Sequence, residues 1–154
     1  MRRRVISVIV LNEHGVLSRV AGLFAGRGYN IDSLTVAPIP NSEFSRLSVV
    51  TSGDEKILEQ IVKQLHKIIP VYKVIEDAKF VEKEMALVKI PLNSDLSGLD
   101  AVLKSCNANV VNSDEKVLII MACDDFDKIE NFVKTMKKYA PIDIVKSGSV
   151  ALEI

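Results

Sequence analysis

Val5-Ile6-Ser7-Val8-Ile9-Val10-Leu11, then Asn12-Glu13-His14-Gly15, then Val16-Leu17-Ser18-Arg19-Val20-Ala21-Gly22-Leu23-Phe24-Ala25-Gly26-Arg27-Gly28, is the stretch that decides the fold. Six β-branched and apolar residues, interrupted only by Ser7, read as a strand and stop at a polar turn containing Gly15. Val16, Leu17, Val20, Leu23 and Phe24 then recur at helical spacing, and Gly28 closes the helix as a left-handed cap.

Working outward, residues 30–38 alternate as a strand through Ile31, Leu34 and Val36, and the two prolines of residues 38–43 mark a hairpin loop. Residues 46–51 return as a strand. Ser52-Gly53-Asp54-Glu55 fits a capping box, with Ser52 and Glu55 satisfying the orphan amides of a new helix. Ile57, Leu58, Ile61, Leu65 and Ile68 trace one apolar stripe that Pro70 halts, and residues 71–78 form a last strand. The order is βαββαβ.

From Met85 the pattern is written again. Residues 86–91 read as a strand, 96–106 as a helix, 109–112 and 116–122 as strands, and 126–136 as the fourth helix. Residues 142–146 close the set, and 150–154 have the composition of a tail strand. The expected architecture is α+β, with two tandem ferredoxin-like βαββαβ units over residues 1–78 and 85–154. The polar junction at 79–84 links them. A half of this size has a thin core, and one face of each sheet receives no helix in this plan. Strands such as residues 5–11 and 116–121 are apolar on both faces. The other half or a second copy must therefore cover the bare face, and homodimerisation is the economical inference.

Composition narrows the function. Lys and Arg number 20 and Asp and Glu 20, so formal net charge is zero, and a nucleic-acid binder would need a basic surplus. Arg2, Arg3 and Arg4 form the one basic cluster and read as the solvated start of the first strand. No run reaches the roughly 18 apolar residues of a membrane span, and the N-terminal run ends without a cleavage site. Cys106 and Cys123 lack a Cys-x-x-Cys partner, so two buried free thiols in a cytoplasmic protein are expected, with no metal site.

The search for catalytic chemistry is negative. Phosphate-loop and nucleophile-elbow motifs are absent. Gly22, Gly26 and Gly28 lie inside and at the end of a helix, where a dinucleotide fingerprint would need them before it. His66 sits on a helix flank, and His14 has no Cys, Ser or carboxylate pair to form a triad. The fold also serves RNA-binding modules, but residues 5–11 and 46–51 carry no aromatic on which a base could stack. No active site of its own is expected. The informative segment is Asn12-Glu13-His14-Gly15-Val16-Leu17. A helix N-terminus is a seat for a carboxylate, Gly15 permits close backbone approach, and Asn12 offers both donor and acceptor to a zwitterion. A tight turn shaped by Asn12 and Gly15 accounts for the same residues.

A resemblance adds to this reading. Residues 12–34, with Asn12-Glu13-His14-Gly15-Val16-Leu17-Ser18-Arg19-Val20, Gly22-Leu23-Phe24 and Arg27-Gly28-Tyr29-Asn30-Ile31-Asp32-Ser33-Leu34, look like the opening of an ACT domain. Leu34-Thr35-Val36-Ala37-Pro38, Ser45-Arg46, Gly53-Asp54-Glu55 and Glu59-Gln60-Ile61 narrow it to a resemblance to the small regulatory subunits of acetolactate synthase. The match is dense over residues 2 to 78 and continues through Glu84-Met85 and Leu87-Val88-Lys89-Ile90. The resemblance implies a cytoplasmic, non-catalytic subunit of branched-chain amino-acid biosynthesis. Such a subunit activates a separate catalytic (large) subunit and confers feedback inhibition by valine or a related branched-chain amino acid. Thiamine diphosphate, magnesium and FAD would sit on that catalytic partner, with no cofactor on this chain. It also implies a homodimer through residues 1–78, the ACT domain. It further implies that the effector lies between Asn12, His14, Gly15, Val16 and Leu17 of one copy and Asn30 and Ile31 of the other. Ile31 is equally at home as plain core, and Asn30 as a turn residue. A stand-alone amino-acid sensor acting on another enzyme or a transcription factor is the alternative.

Overall fold

The computed structural model describes residues 2–154. They form two compact units, one reaching Val81 and including Ser149–Ile154, the other spanning Glu82–Gly148. The last six residues thus join the first unit, where the sequence had grouped them with the second half.

In the first unit β1 (Arg2–Leu11) is followed by α1 (Val16–Gly26), β2 (Ile31–Pro38), β3 (Phe44–Gly53), α2 (Glu55–His66) and β4 (Val71–Ile75). The sheet is antiparallel in the order β2-β3-β1-β4, so α1 and α2 lie on one face as a split βαβ sandwich. Period-two alternation decides which side chains meet them. Ile6, Val8 and Val10 of β1 and Leu47 and Val49 of β3 pack with Val16, Val20 and Phe24 of α1 and with Leu58, Ile61 and Leu65 of α2. Leu58, Ile61 and Leu65 of the expected α2 stripe are buried, joined by Val62, whereas Ile57 is exposed and Ile68 half-buried. Gly28 has φ +69° and ends α1. The Gly28 N–H donates to the Ala25 carbonyl and the Tyr29 N–H to that of Phe24, the bond pair of a Schellman cap.

The second unit repeats the plan with β5 (Phe80–Pro91), α3 (Leu99–Ser105), β6 (Asn109–Ser113), β7 (Val117–Asp124), α4 (Phe126–Met136) and β8 (Asp143–Glu153), a 3-10 turn at Lys137–Tyr139 following α4. Its sheet order is β6-β7-β5-β8. Ala86, Val88, Ile90, Ile120 and Ala122 pack there against Ile129, Phe132, Met136 and Tyr139.

Several expectations are corrected. The α2 cap is Asp54, whose side chain accepts from the Ile57 N–H at 2.9 Å, whereas Ser52 stays in β3 and donates to Asp32. Asp54 wins because β3 runs on to Gly53, which leaves Asp54 as the first residue outside the strand. The polar junction at residues 79–84 is largely strand, because β5 begins at Phe80. The two cysteines are not both buried: Cys123 is exposed and Cys106 half-buried. Cys123 alternates with buried Ala122, so the strand turns its thiol away from the helices. Arg4 is no solvated start either, since its side chain is 11% exposed and paired with Glu55 and Glu76. No helix among the described residues is long and apolar enough to cross a membrane.

Candidate effector site

Leu11 ends β1 opposite Phe44, and the chain turns at once. The Asn12 N–H donates to the Glu43 carbonyl and the Glu13 N–H to that of Leu11, both at 2.9 Å, which pins the turn to the edge of the sheet. Asn12, Glu13 and His14 are exposed and line a shallow cleft. Gly15 has φ +80° and ψ −5°, a left-handed conformation that L side chains adopt at a cost, so the glycine is required by the backbone. A Cβ placed there would meet nothing within 4 Å. The space above Gly15 is open.

Gly15 is also the N-cap residue of α1, and it brings no side chain to the first-turn amides. The first turn of α1 holds no acid, whereas α2 has an Asp54 cap and Glu55, α3 has Asp100 and α4 has Asp127. The N–H groups of Val16 and Leu17 therefore keep their partial positive charge available to an external anion. The Val16 side chain itself is buried at 3% exposure, so its backbone alone faces the turn, while Leu17 stays 42% exposed.

The second wall lies elsewhere. Asn30 is exposed, its side-chain amide donating to Asp32 at 2.7 Å and its carbonyl accepting from the Thr51 hydroxyl at 2.6 Å. Ile31 is half-buried and packs against the first core, as its plain structural reading requires. Within one chain these two residues do not meet the β1–α1 turn. Ile31 pairs with Thr51, which pairs with Arg4 at the start of β1, whereas Pro38 pairs with Ser45 beside Val10 at its end. Six residues of strand separate the two levels, about 20 Å at ~3.4 Å per residue. No single amino acid spans that distance.

The second unit shows what a closed version of the turn looks like. Gly98 precedes α3 with φ +80° and ψ 0°, nearly the geometry of Gly15. A Cβ there would meet Lys138 Nζ and the Tyr139 hydroxyl, each at 3.6 Å. That hydroxyl donates to the Ser97 carbonyl at 3.0 Å. One turn is plugged by its own unit; the other is left open.

The helix-free face of the first sheet is where sequence reading missed most. Ser7 and Ser48 are buried there at 0% and 3% exposure, beneath Ser149–Ile154. The Ser149 N–H donates to the Ser33 hydroxyl at 2.9 Å, the Thr35 hydroxyl donates to the Ser149 carbonyl at 2.9 Å, and the Ala151 N–H donates to the Ser48 hydroxyl at 3.3 Å. Arg46 donates to both oxygens of Glu153, at 2.7 and 3.4 Å, and also to the Ser7 hydroxyl. These bonds lower the Glu153 carboxyl below its ordinary pKa, Arg46 contributing most. Beside this strap runs an apolar groove of about 430 Å³ lined by residues 35–40, Val150 and Leu152. Among the described residues no group of three His, Cys, Asp or Glu side chains is placed to hold a metal ion.

Comparison with known proteins shows the family. Residues 6–73 match the AHAS small subunit-like ACT domain family and residues 83–154 the family of the small subunit of acetolactate synthase. The second match carries the likeness to the C-terminus, where the sequence motifs had thinned after Ile90. The acetolactate synthase isozyme 3 small subunit of Escherichia coli is 40% identical, over 97% of this chain and 94% of that protein. The probable acetolactate synthase small subunit of Archaeoglobus fulgidus is 37% identical, over 97% and 96%. The crystal structure of the acetolactate synthase small subunit from Thermotoga maritima superposes with a TM-score of 0.89 at 31% identity, covering 100% of this chain and 98% of that one. The chain is a member of the acetolactate synthase small-subunit family, the regulatory subunits that carry an ACT domain.

Proposed function

We propose that this chain regulates acetolactate synthase by raising the activity of a separate catalytic subunit and by making it sensitive to feedback inhibition by valine or a related branched-chain amino acid. The observation that carries the reading is the uncapped, acid-free N-terminus of α1 behind a left-handed Gly15 with open space above it. A zwitterion's carboxylate suits those amides, and Asn12 suits its other polar groups.

The site is completed by a second copy. β2 is an edge strand with Val36 47% exposed, and an unpaired edge is a template for another strand. Antiparallel pairing of two β2 edges about a twofold axis sets the start of one β2 beside the end of the other. Asn30 and Ile31 of one copy then approach Asn12, His14, Gly15, Val16 and Leu17 of its partner, across the gap that one chain cannot close. Thiamine diphosphate, magnesium and FAD belong to the catalytic partner, and this chain supplies none of that chemistry.

The test is a titration and an assay. Valine, leucine and isoleucine are titrated calorimetrically into the chain, and pyruvate condensation is measured for the chain alone, the catalytic subunit alone and the mixture. The expected outcome is saturable binding of at least one effector, no turnover by the chain alone, and a mixture faster than the catalytic subunit and inhibited by that effector. A mixture no faster than the catalytic subunit, and failure of the two chains to co-purify, would move the protein to the stand-alone sensor class.

A further inference from the structure

Ser33 and Thr35, which clamp Ser149, are on β2, the strand that opens with Ile31 directly after Asn30. Ser33 accepts the Ser149 N–H, and it is the residue at which β2 shifts register against β3, after Ile31. Asp32, the unpaired residue of that bulge, receives hydrogen bonds from the Asn30 side chain and the Ser52 hydroxyl. A continuous chain of bonds thus runs from the Ser149 backbone through Ser33 to the backbone that aims Asn30. Bulges re-aim the residues next to them, so what bears on Ser33 bears on Asn30 and Ile31.

The strap is the end of β8, which neighbours β5 in its sheet, and the Ile154 N–H donates to the Lys79 carbonyl at 2.9 Å. Toward the first sheet its backbone is held by side-chain hydroxyls, Arg3 donates to the Ser149 hydroxyl at 3.2 Å, and Arg46 pairs with Glu153, their side chains 24% and 32% exposed. Val150 and Leu152 point outward at 59% exposure, so burial anchors it only through Ser149 and Ala151. Gly148, immediately before it, has φ +79°, the left-handed geometry of a bend where the chain passes from one unit to the other.

We propose that Ser149–Ile154 is a regulatory strap whose seating on Ser33, Thr35 and Arg46 positions the start of β2 for effector binding, so that effector occupancy and strap seating reinforce each other. The inference rests on the effector reading above and adds to it the control of that site by the chain's own C-terminus. Arg46, Ser33 and Thr35 are positioning residues; none of them lies among the residues placed around the effector. Reciprocity is thermodynamic: if the seated strap favours valine, valine must favour the seated strap.

The experiment uses the full chain, with valine, leucine and isoleucine as probes. Amide exchange of Ser149 and Ala151 is followed with and without the amino acid that binds, which needs no variant. Thr35→Val keeps the side-chain shape and removes the donor to the Ser149 carbonyl; Thr35→Ser restores it. Asp54→Ala, which uncaps α2 and removes none of the strap's hydrogen bonds, controls for lost stability. The expected results are slower exchange of both amides when the effector is bound, effector affinity about twofold to tenfold lower in Thr35→Val, recovery in Thr35→Ser, and wild-type affinity in Asp54→Ala. Unchanged exchange on effector binding overturns the proposal, as does Thr35→Val binding the effector like the wild type. A wild-type chain that binds none of the three amino acids sinks the effector reading and the strap with it, a result distinct from either of those.

Discussion

Replacing Gly15 by Asp separates the anion seat from the tight turn. The backbone there is left-handed at φ +80°, so any L residue is strained, by roughly 1–2 kcal/mol on a generic scale and less for Asp and Asn, which tolerate this region. No steric contribution adds to this, because the position opens into empty space. The strain falls on folding stability. The effect on the effector comes from charge: a carboxylate at the N-cap would take the first-turn amides of α1 for itself and repel the ligand's own carboxylate. Losing charge-assisted hydrogen bonds costs about 1.5–3 kcal/mol, which is about tenfold to more than a hundredfold in affinity. The positive φ rules out Ala as a neutral control, since Ala carries the strain without the tolerance. Gly15→Asn is the sound comparison, with the same backbone preference and no charge. Valine inhibition curves of the reconstituted enzyme should shift strongly for Asp and mildly for Asn. A folded Gly15→Asp protein with an unshifted valine curve would refute the anion seat.

Asp54→Ala should cost about 0.5–2 kcal/mol in urea unfolding and Ser52→Ala less, since Asp54 alone caps α2. A chain cut after Val81 loses Ser149–Ile154 and bares the buried Ser7 and Ser48; its melting temperature should fall below that of the first transition of the full chain. The Glu153 carboxyl has a folded pKa below its ordinary value of 4.5, so its contribution is complete above that value and is lost as pH falls through the folded pKa. Melting temperatures followed downward from pH 5 should therefore drop more steeply in the wild type than in Glu153→Gln.

The fold was legible because its signals are local and repeated. The apolar run of β1, the four-residue spacing of Val16, Val20 and Phe24, the Gly28 cap and the halt at Pro70 each act within a few residues, and each recurs in the structure. What escaped was non-local. The sequence showed that the helix-free face needed a cover and named the other half or a second copy as the candidates. Only the fold reveals that part of the cover is six residues from the far end of the chain, held by hydroxyls 103 to 116 positions away. Ser7, Ser33, Thr35 and Ser48 look like ordinary polar residues of half-exposed strands. Their alternation with apolar neighbours says that they share a face, and nothing in it says that the face is dry. Ser52 fitted the capping pattern as well as Asp54 does; the length of β3 decided between them, and strand length is set by pairing with β1.

The two halves show how one fold divides labour without changing its backbone. Gly15 and Gly98 take nearly the same left-handed angles before the first helix of each unit, so the turn is dictated by the βα connection and is not by itself a mark of function. What differs is the surroundings. In the second unit the 3-10 turn after α4 delivers Tyr139, 2% exposed, to the turn, where its hydroxyl satisfies Ser97, and Lys138 stands close to Gly98. α3 is also short, seven residues, with Asp100 in its first turn to oppose an incoming anion. In the first unit α2 runs to His66 and reaches Pro70 with no aromatic to plug the opposite turn, and α1 has no acid near its start. The same connection is thus filled in one unit and open in the other. Under the proposed effector reading, a carboxylate has one seat per chain, and that seat is short of a wall until a second copy supplies Asn30 and Ile31.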